Sequence, residues 1–307
     1  KPENSPPAHL HGDVILIATG SYPHHPDNLP FHDQRVYDSD TILTINDLPR
    51  SMLVAGGGVI GCEYACMFAA LGIEVTLVEG RDRLLTFLDS DISEALAAAM
   101  KKLGIHMRLS DMIETVDTAP EGFQVNLKSG DVVNVQNILA ATGRSGATDR
   151  LNLSGIGIEV GGRGNLNVNG AYQTELPHVY AVGDVIGFPA LASTSMEQAR
   201  IAMVHAFDLQ YKTALAPILP YGIYTIPECS MAGETEMSLK EKGVDYVVGR
   251  ASYDANARGQ IIGDDDGARA QAGETCKDVD EQVECLMDMA TDPRILANSW
   301  TGWKSWL

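Results

Sequence analysis

The stretch "SMLVAGGGVIGCEYACMFAALGIEVTLVEG", residues 51–80, constrains this chain more than any other. An apolar run ends at Ala55, three glycines follow, an apolar segment of helical length comes next, and "EVTLVE" closes with a second β-forming run. That order predicts a complete βαβ unit. Gly56, Gly58 and Gly61 stand in G-x-G-x-x-G register, with Gly57, Val59 and Ile60 between them. The first glycine permits a tight turn, the second lets backbone approach a pyrophosphate, and the third lets helix pack closely on strand. The helix N-terminus then offers unpaired N–H groups and a positive dipole end to phosphates. Glu79 ends the second strand eighteen residues after Gly61, where a carboxylate can accept hydrogen bonds from a ribose. The pattern predicts a dinucleotide ligand; a glycine-rich packing turn is the plainer alternative.

Which dinucleotide is left open by "VEGRDRLL", residues 78–85. Glu79 suits the free hydroxyls of NAD and repels the 2′-phosphate of NADP. Arg81 and Arg83 either offset that repulsion through charge-assisted contacts or are solvated charges beside a helix. NAD binding is expected, and NADP binding is permitted.

The flanking sequence frames this unit. "DVILIATGS" predicts a buried strand over Val14 to Ala18, turning at Thr19-Gly20, and a polar loop with His24 and His25 follows. "SDISEALAAAMKKLGIHMRLS" predicts a helix capped at Ser90, with Glu94 near its first turn and Gly104 at its end, then a third strand. Residues 112–141 alternate apolar and polar around "PEG" and "KSGD", which predicts an antiparallel meander. "NILAATGRSG" echoes "LIATGS", so Ala-Thr-Gly at 18–20 and 141–143 brackets the unit as the exit from, and return to, a second domain. "HVYAVGDVIG" then predicts a strand ending at Gly183-Asp184, with a helix in "LASTSMEQARIAMVHAFDL" behind it. A carboxylate there points into the crevice where α/β sheets hold ligands, or caps a helix. Glu63, one turn into the βαβ helix, faces either solvent or the cofactor cleft.

Composition removes other classes. A formal charge of −19 argues against nucleic acid and anionic membrane as partners. No apolar run approaches the roughly 18–20 residues a membrane span needs, and no secretory h-region is present. Five cysteines without a regular framework suit a reducing cytoplasm. Cys62 and Cys66, four apart on a helix, have Cβ atoms about 5–6 Å apart, too far for a disulfide, and read as small buried hydrophobes. His9, His11, His24, His25 and His32 lack metal-ligand spacing, and "DDDG" at 264–267 lacks the glutamate of a calcium loop, so no metal is expected. Neither G-x-S-x-G nor H-E-x-x-H occurs, so no hydrolytic site is visible. The opening "KPENSPPAHL" without methionine suggests a fragment or processed product. All three tryptophans fall in the last eight residues, within a segment that continues no earlier pattern.

The twin Ala-Thr-Gly strands around a dinucleotide βαβ unit, with Thr174 ten residues before Asp184, carry a resemblance. So do "VYDSDTIL", "GGGVIGCEYA", "RLLTFLDSDIS" and "YGIYTIPE". Over roughly residues 11–267 the chain resembles the two-dinucleotide-binding flavoprotein family of glutathione reductase and dihydrolipoamide dehydrogenase, and within it the transhydrogenase branch. The resemblance implies an α/β fold: a Rossmann-like NAD(P) domain at 44–146 inserted into a partial FAD-binding domain formed by 1–43 and 147–220. It further implies the start of an α+β dimerisation domain at 221–267; composition alone marks 268–307 as an atypical tail, read as out-of-frame or fused sequence.

Position by position, the resemblance implies that Gly56, Gly57, Gly58, Gly61, Glu79, Arg81 and Gly143 hold NAD or NADP. Val59 and Ile60 would lie where nicotinamide stacks on the flavin, and Glu63 would pair with a lysine from a segment this sequence lacks. Gly20, Gly183 and Asp184 would hold FAD, with Ala190, Leu191, Ala192 and Ser193 meeting the ring edge. The family's FAD pyrophosphate glycines, its redox-cysteine region and its interface His-Glu pair are absent from the sequence. The implied activity is hydride transfer from NADPH through FAD to NAD⁺ by a homo-oligomer, with no catalytic acid or base. A disulfide reductase and a non-catalytic NAD-binding remnant are the alternatives.

Overall fold

The computed structural model describes residues 9–252 and 268–273. Three short strands open the chain: β1 (Ile15–Ile17), β2 (Ser21–Pro23) and β3 (Val36–Asp38). The βαβ unit follows as β4 (Ser51–Ala55), α1 (Val59–Ala70) and β5 (Glu74–Glu79). Helix α2 (Ser90–Lys102) and strand β6 (His106–Leu109) extend it. An antiparallel meander comes next, formed by β7 (Ile113–Ala119), β8 (Gly122–Leu127) and β9 (Val132–Val135).

The expected meander over 112–141 ends early. Its last segment, β10 (Asn137–Ala140), leaves the hairpin ladder and runs parallel between β3 and β4, pairing Ile138 with both Val36 and Leu53. The reason is burial: four consecutive buried residues suit a strand covered on both faces, not one with a wet side. The resulting sheet has the order β3-β10-β4-β5-β6 and is parallel throughout. Alternate residues of β4 enter opposite layers. Met52 and Val54 pack with Leu96 and Met100 on the helical side, while Leu53 and Ala55 pack with Phe123 and Val125 of the meander.

Helix α2 begins at Ser90 as its first helical residue, and its N-cap is Asp89 in extended backbone. The Asp89 carboxylate does not cap α2; it accepts the Glu236 N–H at 2.8 Å. Gly104 follows the helix at φ +93°, where the chain must turn left-handed.

The two Ala-Thr-Gly segments meet at a neck. After the second, β11 (Arg144–Gly146) pairs antiparallel with β2, placing Ser21 opposite Gly146 and Pro23 opposite Arg144. The His24 N–H donates to Gly143 O at 2.9 Å, just above that ladder. Beyond the neck, β12 (Val179–Ala181) pairs parallel with β1 in a sheet of two strands, backed by α3 (Ala192–Ala206). Ile15 and Leu16 remain 47% and 36% exposed there.

The last described part is a hairpin of β13 (Pro220–Ile223) and β14 (Cys229–Ala232), the short helix α4 (Glu236–Lys242), and the antiparallel pair β15 (Val247–Ser252) and β16 (Ala268–Gly273). Ile223 is buried in the same core as α1. "DDDG" and the tail after 273, read above as atypical, lie outside the described residues.

Candidate dinucleotide-binding site

The glycine turn between β4 and α1 is built by close approach. A Cβ on Gly56, at φ +111°, would stand 2.4 Å from Ala141 O. One on Gly61 would stand 1.9 Å from Gly56 O, so α1 can lie this near the strands only with glycine there. Gly57 is less tightly constrained, because a Cβ would press only on side chains, Leu84 at 2.8 Å and Glu79 at 3.0 Å. Gly58 differs: it is the N-cap of α1, and its Cβ position meets nothing within 4 Å. It lines the cleft where α1 begins, and the first-turn amides of a helix have no acceptor within it. Val59 and Ile60 are half-buried in the same turn.

The turn opens on a cleft of about 640 Å³ at the carboxyl ends of β10, β4 and β5, within the size range of small-molecule sites. Gly56, Gly58, Glu79, Arg81, Gly143 and Arg163 line it, with Leu29 and Ile113 among its apolar walls. Glu79 is 7% exposed and fully engaged. Its Oε2 accepts the Gly57 N–H at 2.6 Å and Arg81 Nη2 at 3.1 Å; its Oε1 accepts the Arg81 N–H and Nε, both at 2.9 Å. Burial alone would raise this carboxyl, but the Arg81 guanidinium and the amides of Arg81 and Gly57 outweigh it and hold it below the usual carboxylate range. Arg81 is thus spent on Glu79, with Nη1 donating to Thr86 Oγ1 at 3.1 Å. Arg83 turns elsewhere, its Nη2 donating to Thr86 O at 3.2 Å and approaching Met237 Sδ.

A second set of candidates gathers below the neck. Asp184 follows β12 and accepts Ser21 Oγ at 2.9 Å. Ser21 Oγ in turn accepts Arg144 Nε at 2.8 Å, and Arg144 pairs with Asp40. The residues that follow each Ala-Thr-Gly therefore bond each other, and Ser21 connects the pair to Asp184. Neither Ser21 nor Arg144 stood out in the sequence, although both directly follow the repeated triplet. Gly183 takes φ +76° and donates its N–H to the buried Gln198 at 2.8 Å; Gly20 takes φ +72°. Ala190, Ala192 and Ser193 are exposed at the start of α3, and Leu191 is its half-buried N-cap. Glu63, where a lysine partner was expected, accepts the Tyr224 N–H at 2.8 Å.

Cys62 and Cys66 are buried and free, and burial pushes both thiols up, as it does for Cys229. Thiols held protonated in this way are poor nucleophiles. His25 bonds Asp38 at 2.7 Å and stacks on Phe31, a structural use of one histidine from the loop.

Comparison with known proteins adds an independent line. The model of the pyridine nucleotide-disulphide oxidoreductase family matches residues 4–205, and that of its dimerisation domain matches residues 219–269. The model of the FATC domain matches residues 276–307, outside the described residues. The soluble pyridine nucleotide transhydrogenase of Mycobacterium bovis is 47% identical over 82% of this chain and 54% of its own length. That of Yersinia enterocolitica is 47% identical over 84% of this chain and 56% of its own. The chain spans about half the length of the curated relatives it matches. Among solved structures, the HOCl-induced flavoprotein disulfide reductase RclA from Escherichia coli superposes with TM-score 0.79 at 28% identity, covering 91% of this chain and 67% of that one. LpdA from Mycobacterium tuberculosis superposes at 0.78 and 26%, covering 86% and 57%.

Proposed function

Because the chain belongs to the pyridine nucleotide-disulphide oxidoreductase family, we propose that it carries the nicotinamide-nucleotide site of an FAD-dependent oxidoreductase that transfers hydride between NADPH and NAD⁺. The observation that carries this reading is the cleft, where an open Gly58, a helix N-terminus and a buried carboxylate meet. Such a cradle fits a dinucleotide: the backbone of Gly56, Gly57, Gly58 and Gly61 receives the pyrophosphate, and Glu79 receives the adenosine ribose. A carboxylate offers about four lone-pair sites, and Glu79 uses all four internally. A ribose reaching it must therefore displace part of Arg81, which brings that guanidinium beside the ribose 2′ position. An acid and a base released together tolerate either nucleotide, as a single alternating site requires. Val59 and Ile60 bound the nicotinamide, and Gly143 closes the far side.

For FAD, the fitting residues are Asp184, Gly20 and Gly183, with Ala190, Leu191, Ala192 and Ser193 beside the ring. FAD, when bound, supplies the hydride-accepting and hydride-donating ring. The chain contributes orientation and water exclusion, and no proton transfer is required of its side chains. The names of the two transhydrogenase relatives support this substrate pair. The neighbour named a disulfide reductase supports the alternative, but Cys62, Cys66 and Cys229 do not supply a redox pair with their buried, raised thiols. The dimerisation match supports a homo-oligomer, and no described helix is long and apolar enough to cross a membrane.

The test is calorimetric titration of the chain with NADH and NADPH, beside Gly58→Val. The Cβ position is open and the backbone there suits any residue, so the branched side chain should fill the cleft: binding of both nucleotides should fall about a hundredfold while the melting temperature holds. Unchanged affinity for both would remove the cleft as the site.

A further inference from the structure

Arg163 is the one basic residue of the cleft that the sequence motifs do not point to. Arg163 lies in the segment after the neck, yet its side chain crosses back over the end of β10 to line the dinucleotide cleft. Its Nη1 donates to Thr142 O at 3.1 Å, and among the described residues no carboxylate pairs with it. The guanidinium rests where Gly143 has no side chain: a Cβ on Gly143 would stand 2.4 Å from Nη1.

The backbone is built to hold it there. Arg163 sits at φ +57°, a left-handed conformation that is strained for a residue with a Cβ. The turn that imposes it is clamped on both sides. Gly164 O accepts Thr148 Oγ1 at 2.9 Å, and a Cβ on Gly146 would stand 2.4 Å from that same oxygen. Strain of this kind persists where surrounding structure dictates it, and it gathers at functional sites.

Charge then decides the ligand. Of the two arginines lining the cleft, Arg81 is neutralised by Glu79, whereas Arg163 keeps most of its five donors uncommitted. Position decides which part of the ligand it meets. Along the carboxyl edge of the sheet, Glu79 ends β5, the glycine turn follows β4, and Gly143 with Arg163 follows β10. A dinucleotide with its adenosine ribose at Glu79 crosses the turn with its diphosphate facing Arg163, and its 2′ position remains on the opposite side. We propose that Arg163 grips the pyrophosphate common to NAD and NADP, so that it sets the affinity of the site without setting its preference. This rests on the cleft being the nucleotide site.

Calorimetric titration of the 307-residue chain and of Arg163→Gln with NADH and NADPH, at low and high salt, tests it. A second variant, Arg163→Gly, removes the guanidinium while relieving the left-handed strain, so its fold is secure. Both variants should bind each nucleotide about five- to tenfold more weakly, with the NADPH/NADH ratio unchanged and a shallower salt dependence. Loss confined to NADPH would place the guanidinium at the 2′-phosphate and overturn the assignment. Unaltered binding by both variants, with normal binding by the parent chain, would leave Arg163 as a structural prop for Thr142. Absence of binding by the parent chain itself would remove the cleft reading and this one with it.

Discussion

The five-stranded sheet and the two-stranded sheet obey the same rule and arrive at opposite conditions. In the first, β4 and β10 lie between paired neighbours, helices cover one face, and the meander covers the other. In the second, β1 and β12 have no other strand beside them among the described residues, apart from an isolated bridge between Tyr180 and Gln173, and Ile15 and Leu16 stay exposed. Parallel sheets are stable when both faces and both edges are covered. The difference lies in how the pieces are distributed along the chain. Every strand of the larger sheet falls between residues 36 and 140, whereas β1 and β12 are separated by that whole insertion. The cleft draws its glycine turn and Glu79 from that one stretch and only its rim, Leu29, Gly143 and Arg163, from outside it, whereas the residues around Asp184 come from distant segments and depend on all of them.

The largest effect that can break this contrast concerns the flavin. The chain should lose FAD completely on gel filtration while still binding NADH, because Asp184 and the start of α3 stand beside only two strands. The visible spectrum of the eluted protein measures it, and stoichiometric yellow flavin would show the two regions to be equally competent.

Paired core truncations sharpen the contrast. Leu53→Ala, at a fully buried position of β4, should cost about 2–5 kcal/mol, whereas Leu16→Ala on β1 should cost less than about 1 kcal/mol. Urea unfolding of both variants gives the difference. Equal costs would mean that β1 is packed as tightly as β4.

The smallest effect lies within the cleft. Glu79→Ala removes the charge that repels a 2′-phosphate and releases Arg81, so preference should move about tenfold toward NADPH. Arg83→Ala should leave it unmoved, since Arg83 bonds Thr86 O outside the cleft. The same carboxylate sets an acid limit. Its folded pKa is depressed, so its stabilising contribution is complete above the unfolded value of about 4.3 and disappears as pH falls through the lower folded one. Glu79→Gln should flatten that decline in a pH series of melting temperatures, and a profile identical to the parent's would refute the assignment.

What could be read beforehand was whatever local chemistry enforces. Strand β4, the glycine turn and α1 follow from side-chain period and from backbone approaches that glycine alone permits. The fate of β10 was hidden, because the alternation of the preceding meander was carried past Val135 into four residues that are all buried. Ser90 carries a hydroxyl where the pattern places a helix cap, but Asp89 holds that position and its carboxylate accepts from Glu236, 147 residues away. The charge of Arg81 was visible, but its commitment to Glu79 depends on how the chain folds after β5. Arg163 sits in "GGRG", which carries no motif, and its place is set by Thr142 and Gly143 in the turn between β10 and β11.

At the neck, the strands entering and leaving the five-stranded unit run side by side, with Ser21 facing Gly146 and Pro23 facing Arg144. The two ends of the unit adjoin in one seam of two strands, and the later hairpin and α4 hold it as well: Ile223 lies in its core, and the Tyr224 and Glu236 amides donate to Glu63 and Asp89. Chain ends in such proximity are what allow whole domains to be spliced into others or circularly permuted. The unit between those strands therefore has the form of a cartridge. Lifted out at the seam and closed with a short hairpin linker, it would take its glycine turn and Glu79 with it, leave Arg163 behind, and uncover the core face that Ile223 occupies.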